Sequence, residues 1–180
     1  MQRSGRVILY LGGARSGKSR LAQIRAESTA NELIYVATGQ AGDAEMARRI
    51  RQHRAERGER WRTIEAPLDL PQTLIQNDAV RRTLLVDCLT LWLSNLMLAE
   101  YDIRKARRSL VDALAASNST VLLVSNEVGM GIVPDNTLAR RFRDEAGWLH
   151  QKIAAVADEV WLVMAGLLLP LKNERSMIES

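Results

Sequence analysis

A single cysteine, Cys88, in 180 residues excludes an internal disulfide and any thiolate cluster for zinc or iron and sulfur, and it fits a reducing cytoplasm. Aromatic residues are also sparse: one Phe, three Tyr and four Trp. Only Trp61 lies among clustered arginines, so the chain offers no stacking platform for single-stranded nucleic acid. Long hydrophobic runs are missing too. The apolar run Val7 to Leu11 meets glycines at once, which is too short for a secretory leader. The stretch Val160 to Leu171 is interrupted by Gly166 and Pro170 and falls short of a membrane span, so it reads as a buried strand and its exit. No repeat, low-complexity tract or Pro/Gly/Ser linker divides the sequence. Residues 1–180 therefore read as one domain, with a polar tail from Asn173 to Ser180 expected to be disordered.

What is present begins at Gly12. Residues Gly12, Gly13, Ala14, Arg15, Ser16, Gly17, Lys18 and Ser19 form a complete G-x-x-x-x-G-K-[ST] phosphate-binding loop, directly after the Val7 to Leu11 run. In such a loop backbone N–H groups curl around a β-phosphate, Lys18 reaches the β/γ-phosphates, and the Ser19 hydroxyl ligates Mg²⁺. A helix from Lys18 to Ser28 turns its N-terminus to the anion. Further apolar runs at Leu33 to Ala37, Trp61 to Ala66, Thr83 to Asp87, Thr120 to Ser125 and Glu159 to Met164 read as strands. Helical patterns fall at Asp43 to Arg57, Leu68 to Gln76, Leu89 to Ala116 with a break near Tyr101, and Asn136 to Ala157. This alternation implies a mostly parallel sheet covered by helices on both faces, and with the phosphate loop the expected fold is α/β, a P-loop NTPase with a RecA-like sheet. The site is expected in one crevice at the carboxyl ends of the strands.

Asp87 closes the run Thr83-Leu84-Leu85-Val86, where an acid holding Mg²⁺ belongs, although it also suits capping the helix that follows. Asn126 and Glu127 end the parallel run Val121 to Val124. Two readings stand for them, contact with a γ-phosphate or attacking group, and satisfaction of loop backbone. Charge is local: seven arginines against two glutamates between Arg48 and Arg62 exceed the whole chain's net charge of +4. That block suits several phosphates of one small substrate, or a solvated helix face. His53 sits inside it, sharing a helix face with Met46 and Ile50. It reads either as a packed histidine or as a nucleophile kept neutral by cationic neighbours. His150, beside Trp148 and Leu149, reads as structural or solvent-facing.

The motifs together resemble the bifunctional adenosylcobinamide kinase/adenosylcobinamide-phosphate guanylyltransferase family of cobalamin biosynthesis. The resemblance rests on Gly12 to Ser19, Tyr35-Val-Ala-Thr-Gly-Gln40, Glu45-Met46 with Arg49-Ile50 and His53-Arg54, Trp61-Arg-Thr-Ile-Glu65, Ser125-Asn-Glu-Val-Gly-Met-Gly-Ile-Val-Pro134, and Leu138 to Arg140 with Phe142 to Asp144. It implies phosphorylation of adenosylcobinamide by ATP or GTP, then conversion of the phosphate to adenosylcobinamide-GDP through GMP carried on His53. Lys18 and Asp87 would serve the chemistry, and Ser19 and Asp87 the Mg²⁺. Family nucleotide contacts fall on Gly12 to Ser19, on Thr38, Gly39 and Gln40, on Arg54, Ala55, Glu56 and Arg57, on Glu65 and on Asp87. Glu65 is expected to pair with guanine N1–H and N2–H₂. The resemblance also implies a homotrimer, with corrinoid substrates as partners and neither nucleic acid nor membrane insertion. Two positions depart from the family pattern: Asp43-Ala44-Glu45 has no adjacent pair of carboxylates, and the metal acid, often glutamate, is Asp87.

Two other functions use the same loop. A RecA-like ATP-dependent nucleic-acid-binding protein would turn the arginine block on a phosphate backbone, and a small-molecule P-loop kinase without the transferase half would leave His53 dispensable.

Overall fold

The computed structural model describes residues 4–29, 31–39 and 58–173. These form a seven-stranded sheet. The strands are β1 (Val7–Gly12), β2 (Glu32–Ala37), β3 (Trp61–Glu65), β4 (Arg82–Asp87), β5 (Thr120–Asn126), β6 (Glu159–Met164) and β7 (Leu167–Lys172). Their spatial order is β3-β2-β4-β5-β1-β6-β7, parallel throughout except that β7 runs antiparallel to β6. All six expected strands are present to within a residue or two. Five helices complete the described elements: α1 (Lys18–Glu27), α2 (Leu70–Gln76), α3 (Leu89–Leu98), α4 (Ile103–Ala116) and α5 (Thr137–Val156). The helix expected over Asp43 to Arg57 lies outside the described residues, as does the tail beyond Asn173.

Alternation along the buried strands divides the core between two faces. Val7, Leu9, Ile34, Val36, Leu84, Val86, Val121 and Leu123 point to the side packed by α2 to α5, where Trp92, Leu93, Leu110, Leu149 and Ile153 are buried. Ile8, Tyr10, Leu33, Tyr35, Leu85, Leu122 and Val124 point to the other side, under α1. There the helix presents Ala22 and Ala26, both fully buried. Small side chains four residues apart let α1 lie close to the sheet, which brings its first turn to the crest of β1.

Helix ends follow local chemistry. Asp102 caps α4 by accepting from Lys105 N–H at 3.0 Å, and Asn136 caps α5 by accepting from Ala139 N–H at 2.7 Å. The break expected near Tyr101 falls between Leu98 and Ile103, with Glu100 at φ 56° ending the preceding helix. One expectation needs correction. The run Val160 to Leu171 is two strands, joined at Ala165 (φ 52°) and Gly166 (φ 78°). β7 is an exposed edge strand, with Leu167, Leu169 and Leu171 each more than half exposed. Pro170 is tolerated at such an edge because it has no N–H to donate to a further strand. Among the described residues no helix is long and apolar enough to cross a membrane.

Candidate active site

Strand register sets the functional side chains side by side. Glu65 lies opposite Ala37, Ala37 opposite Asp87, and Gly12 opposite Asn126, so the carboxyl ends of β3, β2, β4, β5 and β1 form one crest. β1 leads through α1 across β5 and β4 to β2, while its other neighbour is β6. The strand order therefore reverses direction at β1, where a crevice opens in such sheets.

The loop from Gly12 to Gly17 occupies that position. A Cβ at Gly12 would run into the carbonyl oxygen of Val163 on β6, so only glycine fits there. Gly17, at φ 96°, is the N-cap of α1, with Lys18 and Ser19 in the first turn. Two bonds from elsewhere brace the loop: Glu127 N–H donates to Gly12 O at 3.0 Å, and Gly166 N–H donates to Ser16 O at 2.9 Å. Lys18 is 7% exposed, and its Nζ donates to Gly13 O at 2.9 Å, so the ammonium lies along the loop. Backbone N–H groups, a helix N-terminus and an ammonium converge here, a set that holds the phosphates of a nucleotide.

Asp87 is at the end of β4, with its Oδ2 accepting from the Tyr35 hydroxyl at 3.0 Å. Next to it, the Thr38 hydroxyl donates to Cys88 O at 2.7 Å and accepts from Cys88 N–H at 2.8 Å. Thr38 was expected among the nucleotide contacts. Its side chain is fully buried and its hydroxyl is taken up on both sides by the backbone after Asp87. Asn95 Nδ2 donates to Thr38 O at 2.8 Å and to Pro67 O at 3.0 Å, tying the same segment to α3. Burial and the neighbouring Asp87 charge push the Cys88 thiol up, so it stays protonated and unreactive.

The β5 end carries the two residues for which two readings stand. Glu127 accepts from Gly129 N–H at 2.7 Å and Met130 N–H at 3.1 Å, folding its own loop, and Asn126 Nδ2 donates to the Thr90 hydroxyl at 3.1 Å. Both side chains satisfy local structure. Arg140 secures the far end of the segment through Pro134 O and Asp135 O, at 2.8 and 2.7 Å. His150 is buried rather than solvent-facing. Its Nε2 lies 2.7 Å from Ser125 Oγ, and burial holds its pKa below the usual 6.5 against the opposing pull of the Glu127 charge.

Of the residues expected from sequence, the phosphate loop, Thr38, Gly39, Glu65 and Asp87 are gathered at one crest, with Glu65 exposed at the end of β3. Gln40, His53, Arg54, Ala55, Glu56 and Arg57 lie outside the described residues. Sequence reasoning passed over Tyr35 as the partner of Asp87. Its signal, a tyrosine two residues before a strand end, acquires meaning only once β2 is known to lie beside β4.

Solved structures share this architecture at low identity. A protein from Pyrococcus horikoshii superposes with a TM-score of 0.61 at 8% identity, covering 98% of this chain and 90% of that one. An ATPase of a bacterial type III secretion system gives 0.54 at 14% identity, covering 88% of this chain and 51% of that one. The fold is thus that of the RecA-like P-loop NTPases. Sequence relatives are much nearer. The bifunctional adenosylcobalamin biosynthesis protein CobP of Pseudomonas aeruginosa is 52% identical over 168 residues, spanning 92% of this chain and 97% of its own. The bifunctional adenosylcobalamin biosynthesis protein CobU of Salmonella typhimurium is 41% identical over 181 residues, spanning 92% and 99%. The family model described as cobinamide kinase / cobinamide phosphate guanyltransferase matches residues 8–171. With the loop, Asp87 and nearly the whole sheet inside that match, the chain belongs to the cobinamide kinase / cobinamide phosphate guanyltransferase family.

Proposed function

We propose that the protein phosphorylates adenosylcobinamide with a nucleoside triphosphate and then transfers GMP from GTP to the product, giving adenosylcobinamide-GDP. Family membership over residues 8–171 carries this reading, and the crest geometry supports it. In the kinase step the loop amides and the α1 N-terminus bind the β-phosphate. Lys18 exchanges the Gly13 carbonyl for β/γ-phosphate oxygens and stabilises charge as the γ-phosphoryl group passes to the substrate hydroxyl. Ser19 and Asp87 offer hard oxygen donors, which fit Mg²⁺ held with water and phosphate oxygens, and the ion would neutralise phosphate charge.

In the transfer step an imidazole nitrogen of His53 attacks the α-phosphorus of GTP. The bond to pyrophosphate breaks, and GMP remains as a phosphoramidate. A phosphate oxygen of adenosylcobinamide phosphate then attacks the same phosphorus, and the nitrogen–phosphorus bond breaks to restore the histidine. The arginines among Arg48 to Arg57 are the cations nearest His53 in the sequence and would serve the phosphates. Incubation with GTP labelled at the α-phosphate tests the step. Acid-labile, base-stable label is expected on the wild-type chain and none on His53→Ala; an unlabelled wild type would discredit the covalent route. The protein is further read as a cytoplasmic homotrimer acting on corrinoids and not on nucleic acid, a reading supported by its family, its single cysteine and its few aromatics.

A further inference from the structure

Asp87 has a neighbour that neither the loop motif nor the family pattern assigns. Tyr35 lies opposite Leu85 on the adjacent strand, and side chains alternate along strands, so Tyr35, Leu85 and Asp87 share the sheet face under α1. The Tyr35 hydroxyl donates to Asp87 Oδ2 at 3.0 Å. Its ring is 7% exposed and packs edge-on to Trp61, with centroids 6.2 Å apart and planes at 83°. Trp61 Nε1–H in turn donates to Glu27 Oε1 at 2.9 Å, in the last turn of the helix that starts at the phosphate loop. The hydroxyl is therefore fixed from behind by side chains of β3 and α1.

An aspartate at a strand end rotates broadly about its terminal torsion, and Lys18 supplies an ammonium in the same neighbourhood. A neutral phenol pins one carboxylate oxygen without cancelling the carboxylate's charge, whereas a cationic partner would compete with a metal ion for it. We infer that Tyr35 is a positioning residue: its hydroxyl holds Asp87 in one orientation, leaving the remaining carboxylate lone pairs available to a hydrated divalent cation beside the phosphate loop. The inference rests on the proposed metal role of Asp87.

The test is GTP affinity measured calorimetrically in chelator and across a Mg²⁺ series, for the full-length wild type, Tyr35→Phe, Asp87→Asn and Trp61→Phe, with thermal unfolding of each. Tyr35→Phe is expected to raise the Mg²⁺ concentration at half-effect about three- to tenfold, the range expected for loss of one such hydrogen bond. Affinity in chelator and the unfolding midpoint should stay near wild type. Asp87→Asn should shift the Mg²⁺ midpoint at least as far. Trp61→Phe, which loosens the backing of the ring but leaves its hydroxyl, should shift that midpoint less than Tyr35→Phe does. An unshifted Tyr35→Phe beside a shifted Asp87→Asn overturns the role of Tyr35 alone. An unshifted Asp87→Asn overturns the metal reading itself, and the inference with it. If Trp61→Phe shifts the midpoint as much as Tyr35→Phe, or if Tyr35→Phe unfolds or loses GTP equally in chelator, Tyr35 acts through packing and the inference fails.

Discussion

Glu65 and Thr38 end neighbouring segments of the same crest, and their surroundings divide their roles. Thr38 is fully buried, with its hydroxyl bonded on both sides to the Cys88 backbone behind Asp87. Glu65 is exposed at the end of β3. A carboxylate there offers two acceptors to the two donors of a guanine edge, and adenine lacks that pattern. Glu65→Gln should therefore weaken GTP about tenfold or more while moving ATP little, as measured by equilibrium binding of both nucleotides. Equal losses would remove Glu65 from base recognition.

At the scale of elements, the turns at the amino ends of the strands are held by Asp78, between α2 and β4. Its carboxylate accepts from Asn118 N–H and Ser119 N–H, each at 2.9 Å, and from the Ser117 hydroxyl at 2.8 Å, joining the α4–β5 turn to its own. Burial pushes this carboxyl up, but the bonds from Asn118, Ser117 and Ser119 outweigh it and bring the pKa down to about 2 from 3.8. Because the folded value is the lower one, the stabilisation is complete above the unfolded value and is lost as pH falls from about 4 through about 2. Asp78→Ala should cost about 1–3 kcal/mol in urea unfolding at neutral pH, and the gap to wild type should narrow across that acid window. A gap independent of pH would assign the loss to packing instead. Elements were legible to different degrees for physical reasons. Buried parallel strands are continuous apolar runs, so β1, β2, β4 and β5 stand out. β7 did not, because the leucines of an exposed edge strand look like the continuation of a buried one. The Tyr35–Asp87 bond was illegible as well, since β2 lies beside β4 rather than beside its predecessor in the chain.

For the whole molecule, the trimer reading makes a simple demand. Light scattering on the purified protein should give three times the 20.1 kDa chain mass, and a monomer at micromolar concentration would remove any shared-site scheme. Strand order also has a consequence in time. β1 is made well before its partners β5 and β6, with Gly12 facing Asn126 on one side and Val163 on the other. The brace on Ser16 comes later still, from Gly166. A ribosome that has finished the phosphate loop must therefore add about four-fifths of the 180 residues before that loop acquires its walls, and contacts so distant in sequence are slow to form. The segment most readily recognised in the nascent chain is thus among the last to become a site, and until the C-terminal hairpin emerges the growing polypeptide carries a nucleotide motif without a nucleotide pocket.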